Sequence, residues 1–173
     1  MERGLVQVYT GNGKGKTTAA LGLALRAAGH GLKVLMVQFM KGSASGEFEA
    51  CQRLSPFLTI IKAGREGFIF KGEVDPVDLK LAEEGFLLAK KAIESGEYDI
   101  VILDEINMAV DFGLISLSDL LQLVDSKPET VELVLTGRNA KPELLEKADL
   151  VTEMVERKHY YAKGVGVRKG IEM

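Results

Sequence analysis

This 173-residue sequence lacks the features that mark disulfide-bonded, membrane-spanning and secreted proteins. Cys51 is the only cysteine, so no disulfide can form within the chain. No apolar run approaches the ~20 residues that a membrane-spanning helix needs, and no stretch of signal-peptide type precedes the first apolar run. We therefore expect a cytoplasmic protein that is not inserted in a membrane.

An excess of positive charge is also missing. The formal net charge is −3, whereas a protein that binds nucleic acid through its phosphates presents a basic surface. The basic, tyrosine-containing stretch RKHYYAKGVGVRKG (residues 157–170) could form a local patch of that kind, but no stacking platform for bases is evident in it. The sequence favours a protein without a nucleic-acid partner.

Short apolar runs alternate along the chain with helical patterns. The runs typical of strands lie at residues 5–10, 33–40, 58–62, 98–105, 131–138 and 149–156, and the helical patterns lie at 17–31, 76–95, 116–124 and 141–148. Because parallel strands require crossover connections, this alternation predicts an α/β fold with a mostly parallel sheet and helices on both faces. No repeat, low-complexity tract or linker interrupts the pattern, so we expect residues 1–173 to form a single domain.

The second helical pattern has clear end signals. Asp75 is a plausible cap, Pro76 fits the first helical position, and Gly96 ends the helix. The apolar residues predicted to share its buried face are Leu79, Ala82, Phe86, Ala89 and Ile93. Two glycine-rich segments, 41–48 and 63–73, are predicted to be loops, which are frequent places for binding residues.

The stretch TGNGKGKTT (residues 10–18) joins the first apolar run to the first helical pattern. A phosphate-binding loop has a glycine, four free positions and then Gly-Lys-Ser/Thr. Gly15, Lys16 and Thr17 match the end of this pattern, while Thr10 stands where the first glycine is expected. Backbone N–H groups and the helix amino terminus would bind phosphate oxygens, and the threonine hydroxyl would bind magnesium. The fold class is therefore α/β with a P-loop NTPase (RecA-like) architecture.

Two acidic residues, Asp104 and Glu105, end the apolar run IVILDE. Ligands bind at the carboxyl ends of the strands in open α/β sheets, and an acid at this place in a phosphate-loop protein holds magnesium directly or through water. A solvated strand end is the alternative. Together with the loop, the two carboxylates predict a site for magnesium and a nucleoside triphosphate, without specifying which bond of the nucleotide breaks.

The sequence resembles the ATP:corrinoid adenosyltransferases of the bacterial cobalamin pathway over nearly its whole length. The motifs that carry the resemblance, in one order and at similar spacing, are TGNGKGKTTAALGLALRAAGHG, VQFMKG, VILDE, LTGR, ADLVTEM, KH and the closing GIE. The resemblance implies transfer of the 5′-deoxyadenosyl group of ATP to the cobalt of a reduced, Co(I) corrinoid, with release of triphosphate, in adenosylcobalamin synthesis or salvage. It also implies a homodimer, ATP bound with Mg²⁺, and an electron donor such as a flavodoxin-type reductant.

The same resemblance implies roles for individual residues. Thr17 and Glu105 would ligate magnesium, with Asp104 beside them, and Lys16 would stabilise the charge that grows on the leaving triphosphate. The residues that would bind the nucleotide phosphates are Gly11, Asn12, Gly13, Lys14, Gly15, Lys16, Thr17 and Thr18. Members of this family bind the nucleotide in reverse, with the γ-phosphate where a β-phosphate commonly lies, and Thr10 could be connected with that.

Two arginines and a histidine have alternative interpretations. By resemblance, Arg138 and Arg26 would contact the nucleotide, Arg26 at its ribose or base. Arg138 could equally be an exposed residue at a strand end, and Arg26 could reach water past the apolar surface of its helix. His159 is a lone histidine, which is more typical of a structural role than of catalysis.

The segment GFIF (residues 67–70) takes the place of a family segment in which a phenylalanine and a tryptophan close one face of the corrinoid. Phe68 matches the phenylalanine, Phe70 replaces the tryptophan, and the chain contains no tryptophan. An apolar wall there would exclude the lower axial ligand, which makes the cobalt easier to reduce to Co(I). Ordinary core packing of both rings is the alternative.

Two other functions fit the phosphate loop. One is a P-loop ATPase or kinase that uses Glu105 as its general base, although no arginine-rich lid helix of the kind that kinases use is apparent. The other is a nucleotide-sensing module without catalysis. The products formed from ATP distinguish these functions from adenosyl transfer.

Overall fold

A computed structural model describes residues 2–43, 45–67 and 69–172 of the protein. Its six strands are β1 (Val6–Thr10), β2 (Val34–Phe39), β3 (Leu58–Ala63), β4 (Ile100–Asp104), β5 (Glu132–Thr136) and β6 (Leu150–Glu153). They form one sheet in the order β3-β2-β4-β5-β1-β6, and each neighbouring pair is parallel. The predicted α/β class and all six predicted strands are confirmed, with ends that differ by up to three residues.

Helices connect the strands. They are α1 (Lys16–Gly29), α2 (Gly46–Cys51), α3 (Pro76–Ser95), α4 (Ile106–Asp111), α5 (Leu117–Ser126) and α6 (Pro142–Lys147), with 3₁₀ turns at Gln52–Leu54 and Tyr160–Lys163. Within the ranges that the structure describes, no helix combines the length and apolar character needed to cross a bilayer.

The central strands β2, β4 and β5 are buried on both faces of the sheet, as β2 illustrates. Leu35, Val37 and Phe39 pack in one hydrophobic cluster, while Val34 and Met36 pack in the other. Successive side chains of a strand point to opposite faces, so a strand covered on both sides needs an unbroken apolar run. This is why the runs in the sequence are continuous instead of alternating with polar residues.

Helix α1 covers one face of the sheet. Its buried alanines, Ala20, Ala24 and Ala27, repeat at helical spacing and pack with β-strand residues. Small side chains along this stripe let the helix lie close to the sheet, which places its amino terminus directly beyond β1. The helix ends at Gly29, two residues before the end of the predicted pattern, and Gly31 follows with φ +76°.

Helix α3 covers the other face, and its predicted ends are confirmed. Asp75 accepts a hydrogen bond from the N–H of Val77, and Gly96 has left-handed backbone geometry. The prediction that Leu79 is buried is wrong, because this side chain is 37% exposed. Gly85 is on the buried face, where its Cβ position would lie 2.3 Å from the Cβ of Ala63 on β3. Helix α3 therefore approaches the sheet most closely at Gly85, and Leu79 lies at the side of its buried face.

Two short helices were not predicted. Gly46–Cys51 begins within the segment 41–48, which was predicted to be a loop, and Ile106–Asp111 directly follows the strand-end acids. Each has six residues, fewer than two helical turns, so neither shows a periodic apolar pattern that sequence reasoning could detect. Gly46 and Glu47 of the first helix line the cavity described below, and Glu105, which also lines it, directly precedes the second helix.

The close approach of α3 to the sheet can be tested by Gly85→Ala. Alanine is the better helix former by ~1 kcal/mol, but its Cβ would collide with Ala63, so we expect the free energy of unfolding to fall by ~1–3 kcal/mol in urea denaturation. The matched control is Gly22→Ala on the exposed side of α1, where no atom lies within 4 Å of the added Cβ. That variant should gain up to ~1 kcal/mol. A similar gain in both variants would contradict the packing described here.

Candidate active site

A cavity of ≈ 460 Å³ lies at the carboxyl ends of β1, β2, β4 and β5, a volume typical of small-molecule sites. It is lined by residues 12–18, Leu21, Lys41, Gly46, Glu47, Glu105, Arg138, His159, Gly170, Ile171 and Glu172. The phosphate loop, the strand-end glutamate and the arginine of LTGR, which are far apart in the sequence, therefore share one cavity.

The loop between β1 and α1 is held against the end of β6. The N–H of Gly13 donates to the Met154 carbonyl at 2.6 Å, and the N–H of Met154 donates to the Thr10 carbonyl at 2.9 Å. A Cβ on Gly13 would lie 2.7 Å from the Met154 oxygen. Glycine is thus required here by contact with the protein backbone. Thr10, which stands in place of the usual first glycine, is the last residue of β1 and pairs with Glu153.

Lys16 is folded over the loop. Its ammonium donates to the carbonyls of Gly11 at 2.7 Å and Gly13 at 2.8 Å, and the residue is 7% exposed. Burial lowers the pKa of Lys16, opposed by the carboxylates of Glu105 and Asp104. A charged group held on the concave side of the loop, with only neutral carbonyls as hydrogen-bond partners, is well prepared to bind an anion.

Asp104 is completely buried at the end of β4. One carboxylate oxygen accepts from the Thr17 hydroxyl at 2.9 Å and the Thr136 hydroxyl at 2.6 Å. The other accepts from Lys41 Nζ at 2.8 Å and Gln38 Nε2 at 3.2 Å. Both oxygens are therefore taken by protein donors, and Asp104 orients the groups around it.

Glu105 differs from its neighbour. It adopts left-handed backbone geometry with φ 61°, its N–H donates to the Thr136 hydroxyl at 3.0 Å, and its side chain lines the cavity. None of the described residues donates a hydrogen bond to its carboxylate. Burial, and then the charge of Asp104, raise the pKa of Glu105. Of the two strand-end acids, Glu105 is the one available to a ligand.

Lys41 is a site residue that sequence reasoning did not single out. It follows β2 and forms a 2.8 Å ion pair with Asp104, and its ammonium also lies 3.5 Å from the Thr17 hydroxyl. Burial alone would lower the pKa of Lys41, but the Asp104 carboxylate outweighs this and raises it. The only signal in the sequence was its place in the motif VQFMKG, since nothing local connects it to Asp104, 63 residues later.

The carboxy-terminal segment forms one wall of the cavity, which the sequence also did not reveal. The ammonium of Lys14 in the loop lies 3.0 Å from Tyr160 Oη, 3.1 Å from the Ile171 carbonyl and 3.0 Å from Glu172 Oε1. Glu172 is in turn hydrogen-bonded by Tyr160 and paired with Arg168 at 2.9 Å. The loop lysine is thus tied to the tail, and His159 lines the same wall.

The two arginines are placed differently. Arg138 follows β5 after Gly137, is exposed and lines the cavity, which fits the nucleotide-contact hypothesis. Arg26 is exposed on α1, ten residues beyond Lys16, or about 15 Å along the helix axis, and does not line the cavity. The structure therefore does not bring Arg26 together with the loop residues.

Of the two predicted wall residues, Phe68 lies outside the described residues. Phe70 is 63% exposed, so the alternative of core packing is wrong for this ring. Its neighbour Ile69 packs against the hydrophobic core, and Lys71 pairs with Asp111 at 2.8 Å. These contacts flank Phe70, whose ring lies at the surface.

Among the described residues, the acidic and histidine side chains do not form a complete metal-binding site by themselves. In the part of the chain that the structure describes, no three His, Cys, Asp or Glu residues are grouped so that they alone could hold a metal ion. The oxygen groups nearest the loop are Thr17, Asp104 and Glu105.

Comparison with known proteins agrees with this geometry. Residues 2–173 match the family described as ATP:corrinoid adenosyltransferase BtuR/CobO/CobP. A corrinoid adenosyltransferase of Pseudomonas aeruginosa is 39% identical over 171 residues, covering 99% of this chain and 84% of the relative. One from a Sinorhizobium species is 39% identical over 177 residues, covering 99% and 81%. One from Escherichia coli (strain K12) is 37% identical over 172 residues, covering 99% and 86%.

The match extends over essentially the entire sequence, and more than a third of the aligned residues are shared with each of these relatives. It includes the loop, the strand-end acids and the tail that meet in the cavity. The chain belongs to the ATP:corrinoid adenosyltransferase family.

Proposed function

We propose that this protein transfers the 5′-deoxyadenosyl group of ATP to the cobalt of a reduced corrinoid and releases triphosphate. The observation that carries the proposal is the anion-binding loop of residues 11–18 with its enclosed ammonium, in a chain that matches this family over residues 2–173. The Co(I) centre supplies the electron pair for a new cobalt–carbon bond at C5′. The C5′–O5′ bond breaks, and its electrons leave with the triphosphate.

The protein residues act mainly on the leaving group. Negative charge grows on the triphosphate as the C5′–O5′ bond breaks, so donors fixed around its oxygens lower the barrier. Lys16 and the backbone N–H groups of the loop supply such donors, and Arg138 lines the same cavity. To reach the phosphates, the Lys16 ammonium has to exchange its two carbonyl partners for phosphate oxygens, an exchange that favours the charged ligand.

A magnesium ion fits this cavity. The Thr17 hydroxyl and the Glu105 carboxylate are hard oxygen ligands, and magnesium usually keeps several waters and takes one or two protein ligands besides the phosphates. Glu105 has no hydrogen-bond donor among the described residues, which leaves its oxygens free for such a role. Bound magnesium would neutralise part of the triphosphate charge. Asp104 accepts the Thr17 hydroxyl hydrogen and would thereby turn the oxygen lone pairs of Thr17 towards the metal.

We assign Phe70 to the corrinoid. A ring that is 63% exposed contributes little to the core, and the surrounding segment is held by Ile69 and by the Lys71–Asp111 pair. An apolar ring against the cobalt would keep axial donors away and so ease reduction to Co(I). Phe68 is assigned the same role on sequence resemblance alone.

The remaining assignments concern partners and location. A homodimer is supported by β6, an edge strand whose residues are all exposed, including Leu150 at 43% and Val151 at 45%. An acidic electron donor of the flavodoxin type would be attracted to the basic residues of the exposed tail, 157–169. Because the reaction consumes ATP and a reduced corrinoid, we place it in the cytoplasm. Arg26 is assigned to the ribose or base of the nucleotide on sequence resemblance alone.

The reaction is tested by its products. We expect little turnover with ATP and magnesium alone, and about equal amounts of triphosphate and adenosylcorrinoid once Co(I) corrinoid is added. The Lys16→Ala variant loses charge-assisted phosphate contacts worth ~1.5–3 kcal/mol, so its ATP affinity should fall by roughly 10- to 150-fold. Rapid release of ADP and phosphate without corrinoid would instead support phosphoryl transfer, with Glu105 as the base.

Glu105→Gln tests the metal ligand through stability as well as binding. Because the pKa of Glu105 is raised, its ionised form costs folding stability at neutral pH, and this cost disappears as the pH falls below ~4.3, the value of an unfolded glutamate. We expect Glu105→Gln to melt at a higher temperature than the wild type at pH 7 but not at pH 4, and to bind ATP with less dependence on magnesium. Glu83→Gln, on the exposed side of α3, should change neither property. Normal magnesium-dependent binding by Glu105→Gln would remove Glu105 from the metal site.

Phe70→Ala tests the aromatic wall. Because the ring is exposed, we expect the free energy of unfolding to change by less than ~0.5 kcal/mol. Adenosylation that starts from Co(II) corrinoid with a weak reductant should fall more than adenosylation of Co(I) corrinoid made with a strong chemical reductant. Phe70→Trp, which restores the family residue, should retain activity. Equal losses in the two assays would show that Phe70 does not assist the reduction.

A further inference from the structure

Lys41 is a charged group in the cavity to which the proposed reaction assigns no task. Its ammonium lies 2.8 Å from Asp104 Oδ2 and 3.5 Å from the Thr17 hydroxyl, while that hydroxyl donates to the other oxygen of Asp104. Glu105 and Glu47 line the same cavity. The ammonium therefore lies in a corner of the cavity, beside the Thr17 hydroxyl and among three carboxylates. These surroundings stabilise a positive charge.

The backbone around Lys41 is fixed by contacts with the end of β3. Met40, the preceding residue, has φ 58°, a left-handed conformation that is uncommon for a residue other than glycine. Its N–H donates to the Ala63 carbonyl at 3.2 Å, and Gly64 approaches so closely that a Cβ there would lie 2.5 Å from the N atom of Lys41. The turn is thus fixed against the end of β3, unlike that of an ordinary surface lysine. The Lys41 side chain is 35% exposed.

Magnesium and the Lys41 ammonium would compete for this corner. A divalent cation bound by the Thr17 hydroxyl would meet an ammonium that already lies 3.5 Å from the same oxygen, and like charges at such a separation repel strongly in a partly buried site. Without either cation, the buried carboxylate of Asp104 would keep only neutral donors, which is unfavourable for a buried charge. The corner therefore requires one cation, either magnesium or the Lys41 ammonium, and does not hold both at once.

We propose that the Lys41 ammonium occupies the magnesium position while the metal is absent and balances the charge of Asp104 there. When magnesium enters with ATP, the ammonium moves out of this corner of the cavity. The displaced ammonium remains in the cavity, where the triphosphate provides the anionic partner that Asp104 had been. Lys41 is thus a positioning residue that prevents magnesium from binding before the nucleotide. This inference rests on the proposed function, because it takes the corner beside Thr17 and Glu105 as the magnesium site.

The test is thermal unfolding with magnesium chloride and no nucleotide. Magnesium alone should leave the melting temperature of the wild type unchanged. In Lys41→Met, which removes the competing charge but keeps the length of the chain, magnesium alone should raise the melting temperature by roughly 3 °C, as expected for a ligand at about ten times its dissociation constant. The matched control is Lys80→Met. Lys80 is exposed on α3, where it pairs with Glu84, so this variant should behave like the wild type.

A second measurement does not depend on recovering the methionine variant. Lys41→Arg keeps a positive charge and can grip Asp104 with two N–H donors, so we expect it to need several-fold more magnesium than the wild type for half-maximal binding of a fluorescent ATP analogue. A Lys41→Met response to magnesium equal to that of the wild type, or an unchanged magnesium requirement in Lys41→Arg, overturns the inference. If wild-type ATP binding is the same in magnesium and in chelator, the magnesium site itself is wrong and the inference fails with it.

Discussion

The buried carboxylate of Asp104 is the interaction on which the site depends. Its four donors come from different parts of the chain: Thr17 from α1, Thr136 from β5, Gln38 from β2 and Lys41 from the turn after β2. A fully buried charge is tolerated only when its hydrogen-bonding capacity is satisfied, so these elements have to meet in one arrangement. The position of the loop relative to three strands therefore follows from satisfying one carboxylate.

The three lysines of the cavity have partners within the protein. Lys16 is bound by loop carbonyls, Lys14 by the tail residue Glu172, and Lys41 by Asp104. On the proposed function, ATP binding is therefore an exchange of partners, in which ammonium groups leave carbonyls and carboxylates for phosphate oxygens. Such groups are already positioned, so little side-chain ordering opposes binding. The contact of Lys14 with the tail also links nucleotide binding to the segment that forms one wall of the cavity.

Elements with strong local signals were predictable. The central strands β2, β4 and β5, the cap at Asp75 and the helix end at Gly96 were found because burial on both faces, capping and left-handed geometry each require particular residues at particular spacings. Leu79 was misplaced because its spacing fits the buried face, while the close approach of α3 at Gly85 rotates that face by about one residue. The helix Ile106–Asp111 was missed because it is too short to show a period.

The sequence alone determined the α/β order, the phosphate loop with Lys16 and Thr17, the strand-end acids and the family to which they point, since each of these is written in neighbouring residues. Only the tertiary structure decided how the two acids divide their roles: Asp104 is enclosed by four donors, whereas Glu105 is left to the cavity. It also decided that Lys41 and the tail belong to the site. The physical reason is that burial, hydrogen-bond satisfaction and charge pairing depend on distances between residues that the chain separates by up to 158 positions.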